Sequence, residues 1–407
     1  MKRFSRSSLT TMAVCLLFIP ALLKAQPRPA HRKKVGVVLS GGGAKGMAHI
    51  GVLKVIEKAG IPIDYVVGTS MGSIIGGLYS IGYSPEQLDS MVRRQDWTFL
   101  LSDKIPRSEQ NLSERDASQK YVFSIPFGKG VKAEVFGGLI RGQNLANLFS
   151  ELTIGYHDSI NFNKLPIPFA CVSENIVNGN EVNFHEGVLA TAMRASMAIP
   201  GVFTPVRLDS MVLVDGGVVN NYPVNVARAM GADLIIGVDV QSELKPAGEL
   251  NSAGAILGQL VNLMGQDLYK KNLKETTTYI KVNVEGYSAA SFTPSAIDTL
   301  IMRGEEAAMA QDSALMALKS QLGLDSTYMP QPIPSYPYSP ERKVYVKEIT
   351  FDGLDEKDKK WLLKRCDLKE NSEISIRRIE EATAILSANL GYSGATYNLP
   401  EAPGGGY

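Results

Sequence analysis

Val35 to Leu39 (Val-Gly-Val-Val-Leu) is apolar and strand-length, and it runs into Ser40-Gly41-Gly42-Gly43-Ala44-Lys45-Gly46. A stretch at helical spacing follows, Met47 to Ala59, with Gly60 as its stop. The same arrangement recurs one unit later. Ile63 to Val67 reads as a strand, Gly68-Thr69-Ser70-Met71-Gly72 follows, and a helical stretch rich in small residues ends near Gly82. Further strand-like runs are Phe169 to Ser173, Met211 to Val214, Leu234 to Val240 and Tyr279 to Val284. Continuous apolar strands separated by helices are strands covered on both faces. The expected fold is therefore α/β, three layers around a mainly parallel central sheet. Asn178-Gly179, between Glu174–Val177 and Glu181–Phe184, predicts a type I′ hairpin. Ile301 to Leu322 predicts a helical segment that closes the domain.

Composition narrows the function classes. With 407 residues, 44% hydrophobic and 20% charged, the chain can bury a large core. A formal net charge of +1 excludes a strongly basic nucleic-acid binder. Cys15, Cys171 and Cys366 are too widely spaced for a disulfide framework or a cysteine-built zinc site. The four histidines show no i, i+4 pair, so no metal and no cofactor are expected.

Residues 1–25 read as a secretory signal peptide. Lys2, Arg3 and Arg6 form a positive n-region, Met12 to Leu23 is apolar, and Leu23-Lys24-Ala25 ends in a small residue. That apolar stretch is far short of the roughly 20 residues that span a bilayer. Cys15 lies early in it and makes a poor lipoprotein cleavage site. The expected location is outside the cytoplasm: periplasm, outer membrane or cell surface. Residues 26–33 read as a basic linker and 34–327 as the main domain. Residues 328–342, with Pro330, Pro332, Pro334, Pro337 and Pro340, read as an extended spacer. In the region from Glu341 onward 23 of 67 residues are charged, a shift that marks 343–407 as a separate module.

The glycine loop at 41–46 sits between strand and helix, where unpaired N–H groups bind negative charge. A Walker A loop would need Lys-Ser/Thr after the last glycine, and Gly46-Met47 fails that test. Gly41, Gly43 and Gly46 do match the dinucleotide fingerprint, but the acid it requires belongs at the end of the next strand, and Asp64 stands at its start. The remaining ligand is a transient oxyanion formed during acyl transfer. A tight turn with no ligand is the plain alternative.

Gly68-Thr69-Ser70-Met71-Gly72, with a strand before and a helix after, has the context of a nucleophile elbow and selects acyl transfer. Ser70 is the candidate nucleophile. His31 and His49 precede it; of His157 and His185, only His185 with Asp158 or another acid between them fits the order Ser, acid, His. A polar surface role suits His185 better, and a bracing role suits His49. The stronger partner is Asp215, in Val214-Asp215-Gly216-Gly217, where an apolar strand ends in a carboxylate at the sheet edge that binds ligands. Taken alone, Asp-Gly is also an ordinary turn.

Gly-Gly-Gly-Ala-Lys-Gly at 41–46, Gly-Thr-Ser-Met-Gly at 68–72 and Asp-Gly-Gly at 215–217 stand in an order that resembles the patatin-like phospholipases. The resemblance continues through Arg194-Ala195-Ser196-Met197-Ala198-Ile199-Pro200 and Asn220-Asn221-Tyr222-Pro223 and covers Lys34 to Leu322. It implies a Ser–Asp dyad without histidine: Ser70 as nucleophile, Asp215 as its base, and an oxyanion hole from the amides of Gly41, Gly42 and Gly43 together with Met71. Gly46, Gly68, Gly72, Gly216 and Gly217 support these motifs, and Lys45 stands where the family carries a basic residue. The implied activity is lipid acyl hydrolysis through an acyl-enzyme, with a phospholipid or other lipid ester as substrate and a membrane surface as partner. Phe99 to Phe127, which alternates apolar pairs with charges, suits a lipid-contacting flap or an ordinary insertion.

In the C-terminal module, Lys343 to Phe351 predicts a strand, Asp355 to Cys366 and Ser375 to Leu390 two helices, and Ala395 to Leu399 another strand. This β-α-α-β order resembles a POTRA domain, the periplasmic module that precedes outer-membrane barrels. A third strand would begin near Gly404-Gly405-Gly406-Tyr407, so the expectation is an incomplete module that continues into a β-barrel domain or meets an outer-membrane partner. Two other readings are a catalytically silent adaptor of the same fold and a nucleotide-dependent oxidoreductase using the glycine loop.

Overall fold

Val35–Leu39 forms the first strand (β1), and all five of its residues are buried. The computed structural model describes residues 32–102, 138–251, 253–334, 342–351, 356–389 and 397–407. The expected signal peptide and the Tyr121–Phe127 part of the expected flap lie outside them.

Tyr65–Thr69 (β2), Phe169–Asn175 (β3), Asn180–Phe184 (β4), Val206–Leu208 (β5), Met211–Asp215 (β6), Leu234–Asp239 (β7) and Thr278–Lys281 (β8) join β1 in one eight-stranded sheet. The order is β8–β7–β1–β2–β3–β6–β5, with β4 also paired to β3. The run from β8 to β3 is parallel throughout. Strands β4, β5 and β6 are antiparallel to their neighbours. Alternation along β1 divides the layers. Val35, Val37 and Leu39 face the larger core, with Ala48–Lys58 (α1) and Met71–Ser80 (α2). Val38 faces the smaller one, with Val67, Val172, Tyr222 and the helix Val224–Ala229. Helices on both faces of a mainly parallel sheet give three layers.

Local chemistry sets the element ends. Gly60, at φ 69°, terminates α1. Ser84 and Gln87 form a capping box at the start of Pro85–Arg94 (α3). The predicted closing helix is two helices, Pro294–Met309 (α4) and Asp312–Gln321 (α5), because the first stops at Ala310. The predicted type I′ turn is also corrected. Asn175 pairs with Asn180, leaving a four-residue loop in which only Gly179 has positive φ. The Asn175 side chain accepts from the Val177 and Val212 N–H groups and holds this wider turn.

The C-terminal segment departs from its predicted order. Lys343–Val346 (β9) and Ser372–Ser375 (β10) pair antiparallel, with Val344 opposite Ile374. Glu356–Arg365 lies between them and Ile376–Asn389 follows, so the described order is strand, helix, strand, helix. Four residues of Ser-Glu-Ile-Ser are too few to show a period, and Ile374 alone supplies their buried contact. Ser375 still caps the second helix, its Oγ accepting the Arg378 N–H at 3.3 Å. Of the predicted last strand, 397–399 form none, although Tyr397 and Leu399 are buried. Ile154 shares their apolar cluster, and the Leu399 N–H donates to His157 Nδ1 at 2.7 Å.

Candidate active site

Thr69 is the last residue of β2, and Ser70 turns the chain into α2 with φ 55° and ψ −124°. A non-glycine residue there stores on the order of 1–3 kcal/mol of strain, which the surroundings must hold. The Ser70 N–H donates to Ser196 Oγ at 3.0 Å, and Ser196 donates to the Val172 carbonyl at 2.6 Å. Thr69 Oγ1 donates to the Asn220 carbonyl at 2.9 Å. The flanking glycines are required by contact: a Cβ on Gly68 would lie 2.2 Å from the Gly72 oxygen, and one on Gly72 would lie 2.2 Å from the Leu39 oxygen.

Sheet pairing brings the second residue in. Strand β4 pairs with residues 171–175 of β3 and so occupies one edge. On the other edge β2 pairs as far as Val172, opposite Thr69, and β6 takes over at Ser173, opposite Asp215. The two strands run in opposite senses and meet end to end, which sets Ser70 beside Asp215. Ser70 Oγ donates to Asp215 Oδ2 at 2.6 Å. The other carboxylate oxygen, Oδ1, accepts the Gly217 N–H at 2.7 Å. Gly216 lets the chain pass the Val172 carbonyl, where a Cβ would approach to 2.2 Å. Burial pushes the Asp215 pKa up to about 6, although the bonds from Ser70 and Gly217 favour the charged form. Desolvation outweighs the two hydrogen bonds.

The glycine loop lies against this pair, with one correction to the expected oxyanion hole. The Gly41 N–H donates to the Asn221 carbonyl at 3.2 Å and is already engaged. The N–H groups of Gly42, Gly43 and Met71 stand at helical starts, where no intrahelical acceptor exists. Gly43, at φ 57°, and Met71 line the cavity beside Ser70. Gly46 permits contact with Met71, whose Cγ would be 2.4 Å from a Cβ there. Lys45 turns away from the cavity. Its Nζ donates to Ser242 Oγ at 2.8 Å, and burial, reinforced by Lys281, lowers its pKa to about 8.

That cavity has a volume of about 330 Å³ and an almost wholly apolar lining. Ile74, Leu78, Leu145, Phe149, Phe203 and Phe292 contribute to its walls. Leu101 also lines it, so the described start of the expected flap belongs to the wall. A lining of this kind suits an apolar ligand, and Ser70 stands in its wall.

The other candidates take structural positions. His185 follows Phe184, which pairs with Cys171 on the far edge of β3, away from Ser70. His157 is buried, its Nε2 bonded to the Ser150 carbonyl at 2.7 Å. Asp158 accepts the Glu401 N–H at 3.1 Å. His49 is fully buried with Nε2 2.8 Å from the Ser40 carbonyl, and burial lowers its pKa to about 4, a neutral brace for the glycine loop. Asp64 binds Lys34 and the Val35 N–H at the opposite end of the sheet from the glycine loop. Among the described residues no cluster of His, Cys, Asp or Glu could hold a metal. The supporting contacts come from the Ser196 hydroxyl and the Asn220 and Asn221 backbone carbonyls; these residues lie in the stretches 194–200 and 220–223, but the sequence did not reveal their roles.

Fold and site define a three-layer α/β protein with an elbow serine bonded to a buried aspartate. Residues 37–228 match the sequence profile of the Patatin-like phospholipase family. Lysophospholipase NTE1 of Candida albicans is 31% identical over 221 residues, covering 53% of this chain and 14% of that protein. An uncharacterized NTE family protein of Mycobacterium tuberculosis is 29% identical over 230 residues, covering 56% and 55%. The chain thus spans between about one seventh and about half of the length of these relatives. The solved structure of VipD from Legionella pneumophila aligns over 71% of this chain and 67% of its own, with a TM-score of 0.41 and 17% identity.

Proposed function

We propose that the chain is a lipid acyl hydrolase of the phospholipase A or lysophospholipase type, acting through Ser70 and Asp215. The observation that carries this reading is the 2.6 Å bond between Ser70 Oγ and Asp215 Oδ2 beside an apolar cavity. Asp215 takes the Ser70 proton as Oγ attacks the ester carbonyl. The oxyanion is received by the Gly43 and Met71 amides, with Gly42 adjacent. Collapse expels the alcohol, which takes the proton from Asp215, and leaves Ser70 acylated. Water then repeats the sequence and releases the fatty acid. The bond from the Ser70 N–H to Ser196 Oγ holds the elbow, and the bond from Ser70 Oγ to Asp215 orients the hydroxyl before substrate arrives. The basic n-region and the apolar run Met12 to Leu23 support an exported enzyme.

Ser70→Ala is expected to abolish turnover of a short-chain nitrophenyl ester, and a fluorophosphonate is expected to label the unmodified chain at Ser70. A folded chain that resists the label would replace the hydrolase by a silent adaptor. The pH dependence follows from Asp215. The base must be ionised, so kcat/KM is expected to rise through about pH 6 and level off above it. A flat profile from pH 5 to 8, measured with the same ester, would separate Asp215 from the proton transfer.

A further inference from the structure

The helix Ala253–Met264, Ala-Gly-Ala-Ile-Leu-Gly-Gln-Leu-Val-Asn-Leu-Met, has no charged residue. Ile256, Leu260, Leu263 and Met264 are 48, 52, 48 and 67% exposed. The spacing i, i+4, i+7, i+8 places all four on one face. After Gly265, the helix Gln266–Lys274 turns Tyr269 and Asn272 inward, to Asp239 and the Tyr222 carbonyl, and exposes Lys270, Lys271 and Lys274. The first helix packs on the Gly216–Val218 turn that follows Asp215.

We propose that this face docks on an anionic lipid surface, with the aliphatic side chains entering the headgroup boundary and the lysines meeting its negative charge. An exposed apolar helix face, followed directly in the chain by a helix that exposes three lysines, supplies both elements of interfacial binding, aliphatic side chains and positive charge. A second copy fits less well. About half of four aliphatic side chains is on the order of 400 Å² of apolar surface, against about 800 Å² per partner in a standard interface. The proposal rests on the lipid hydrolase reading for its purpose, and the position beside the Asp215 turn would present the site to the bilayer from which an acyl chain must come.

The test uses the full chain with Ser70→Ala, so that vesicles are not consumed, and co-sedimentation with phosphatidylcholine vesicles with or without phosphatidylserine. Binding is expected to require phosphatidylserine. Leu260→Ser with Leu263→Ser is expected to lower bound protein at least tenfold. Lys270→Gln, Lys271→Gln and Lys274→Gln together are expected to weaken binding roughly 100-fold and to remove its salt dependence. With Ser70 restored, both variants are expected to hydrolyse a soluble short-chain ester normally, which shows that they fold. Unchanged vesicle binding in the leucine variant overturns the proposal. So does a chain that elutes as a dimer on gel filtration and becomes monomeric in that variant while still binding vesicles. If no ester is hydrolysed yet binding depends on these leucines, the catalytic reading falls and the docking surface stands.

Discussion

Asp215→Asn is expected to lower kcat by about 10⁴-fold while raising the melting temperature at pH 8. The loss follows from the 2.6 Å bond to Ser70. An amide can still meet the serine hydroxyl but cannot take its proton, and loss of a positioned general base costs up to about 10⁴-fold. The gain follows from burial. Folding raises the carboxyl pKa from 3.8 to about 6, so the charged form is disfavoured in the folded state. The stability contribution is therefore most favourable below pH 3.8 and is lost as pH rises through about 6. The difference amounts to about 3 kcal/mol once the group is fully ionised. Asparagine retains an oxygen for the Gly217 N–H and carries no charge, so a rise of about 5 °C is expected at pH 8, vanishing near pH 3.5. Thermal melts at the two pH values, alongside ester turnover, separate the effects. An active Asp215→Asn variant would end the dyad assignment, and an unchanged melting temperature at pH 8 would show that the carboxylate is better solvated than its surroundings indicate.

The sequence made the parallel half of the sheet legible because β1, β2 and β7 are apolar on both faces, which leaves little choice of environment. An element end was legible where the chain needs a particular residue, as at Gly60. Pairing was not legible. Nothing in Phe169–Asn175 announces that β2 and β6 share one edge and meet between Val172 and Ser173, yet that junction sets Ser70 and Asp215 together. Likewise Gly41 and Gly43 look alike in the string Gly-Gly-Gly. Only the Asn221 carbonyl, brought back by 180 residues of chain, distinguishes the engaged amide from the one that faces the cavity. The Asn178-Gly179 hairpin failed for a different reason: the Asn175 side chain, bonded to Val177 and to Val212 on another strand, overrode the local turn preference. Ser372–Ser375 was missed because its one buried residue, Ile374, carries no periodicity.

Gly304→Ala is expected to destabilise the fold by about 3 kcal/mol, although alanine is the better helix former by about 1 kcal/mol. Gly304 lies inside Pro294–Met309 (α4), where that helix crosses α1, and a Cβ there would stand 2.0 Å from the Ala48 oxygen and 2.8 Å from its carbonyl carbon. The partner helix shows the reciprocal contact: a Cβ on Gly51 would stand 2.0 Å from the Ile301 oxygen and 2.7 Å from the Glu305 nitrogen. Neither obstacle is a flexible side-chain tip, so the backbones themselves must separate. Helix α1 starts at Ala48 directly after the glycine loop, and Met47 lines the cavity, so separation also moves the loop that carries the Gly43 amide. A melting temperature lower by about 5 °C is expected, with a fall in kcat that outlasts saturation by substrate. Once one alanine has forced the helices apart, the second meets a wider gap. Gly51→Ala with Gly304→Ala is accordingly expected to cost less than the two single changes added together. An unchanged or higher melting temperature for Gly304→Ala would mean that the two helices do not cross with their backbones in contact.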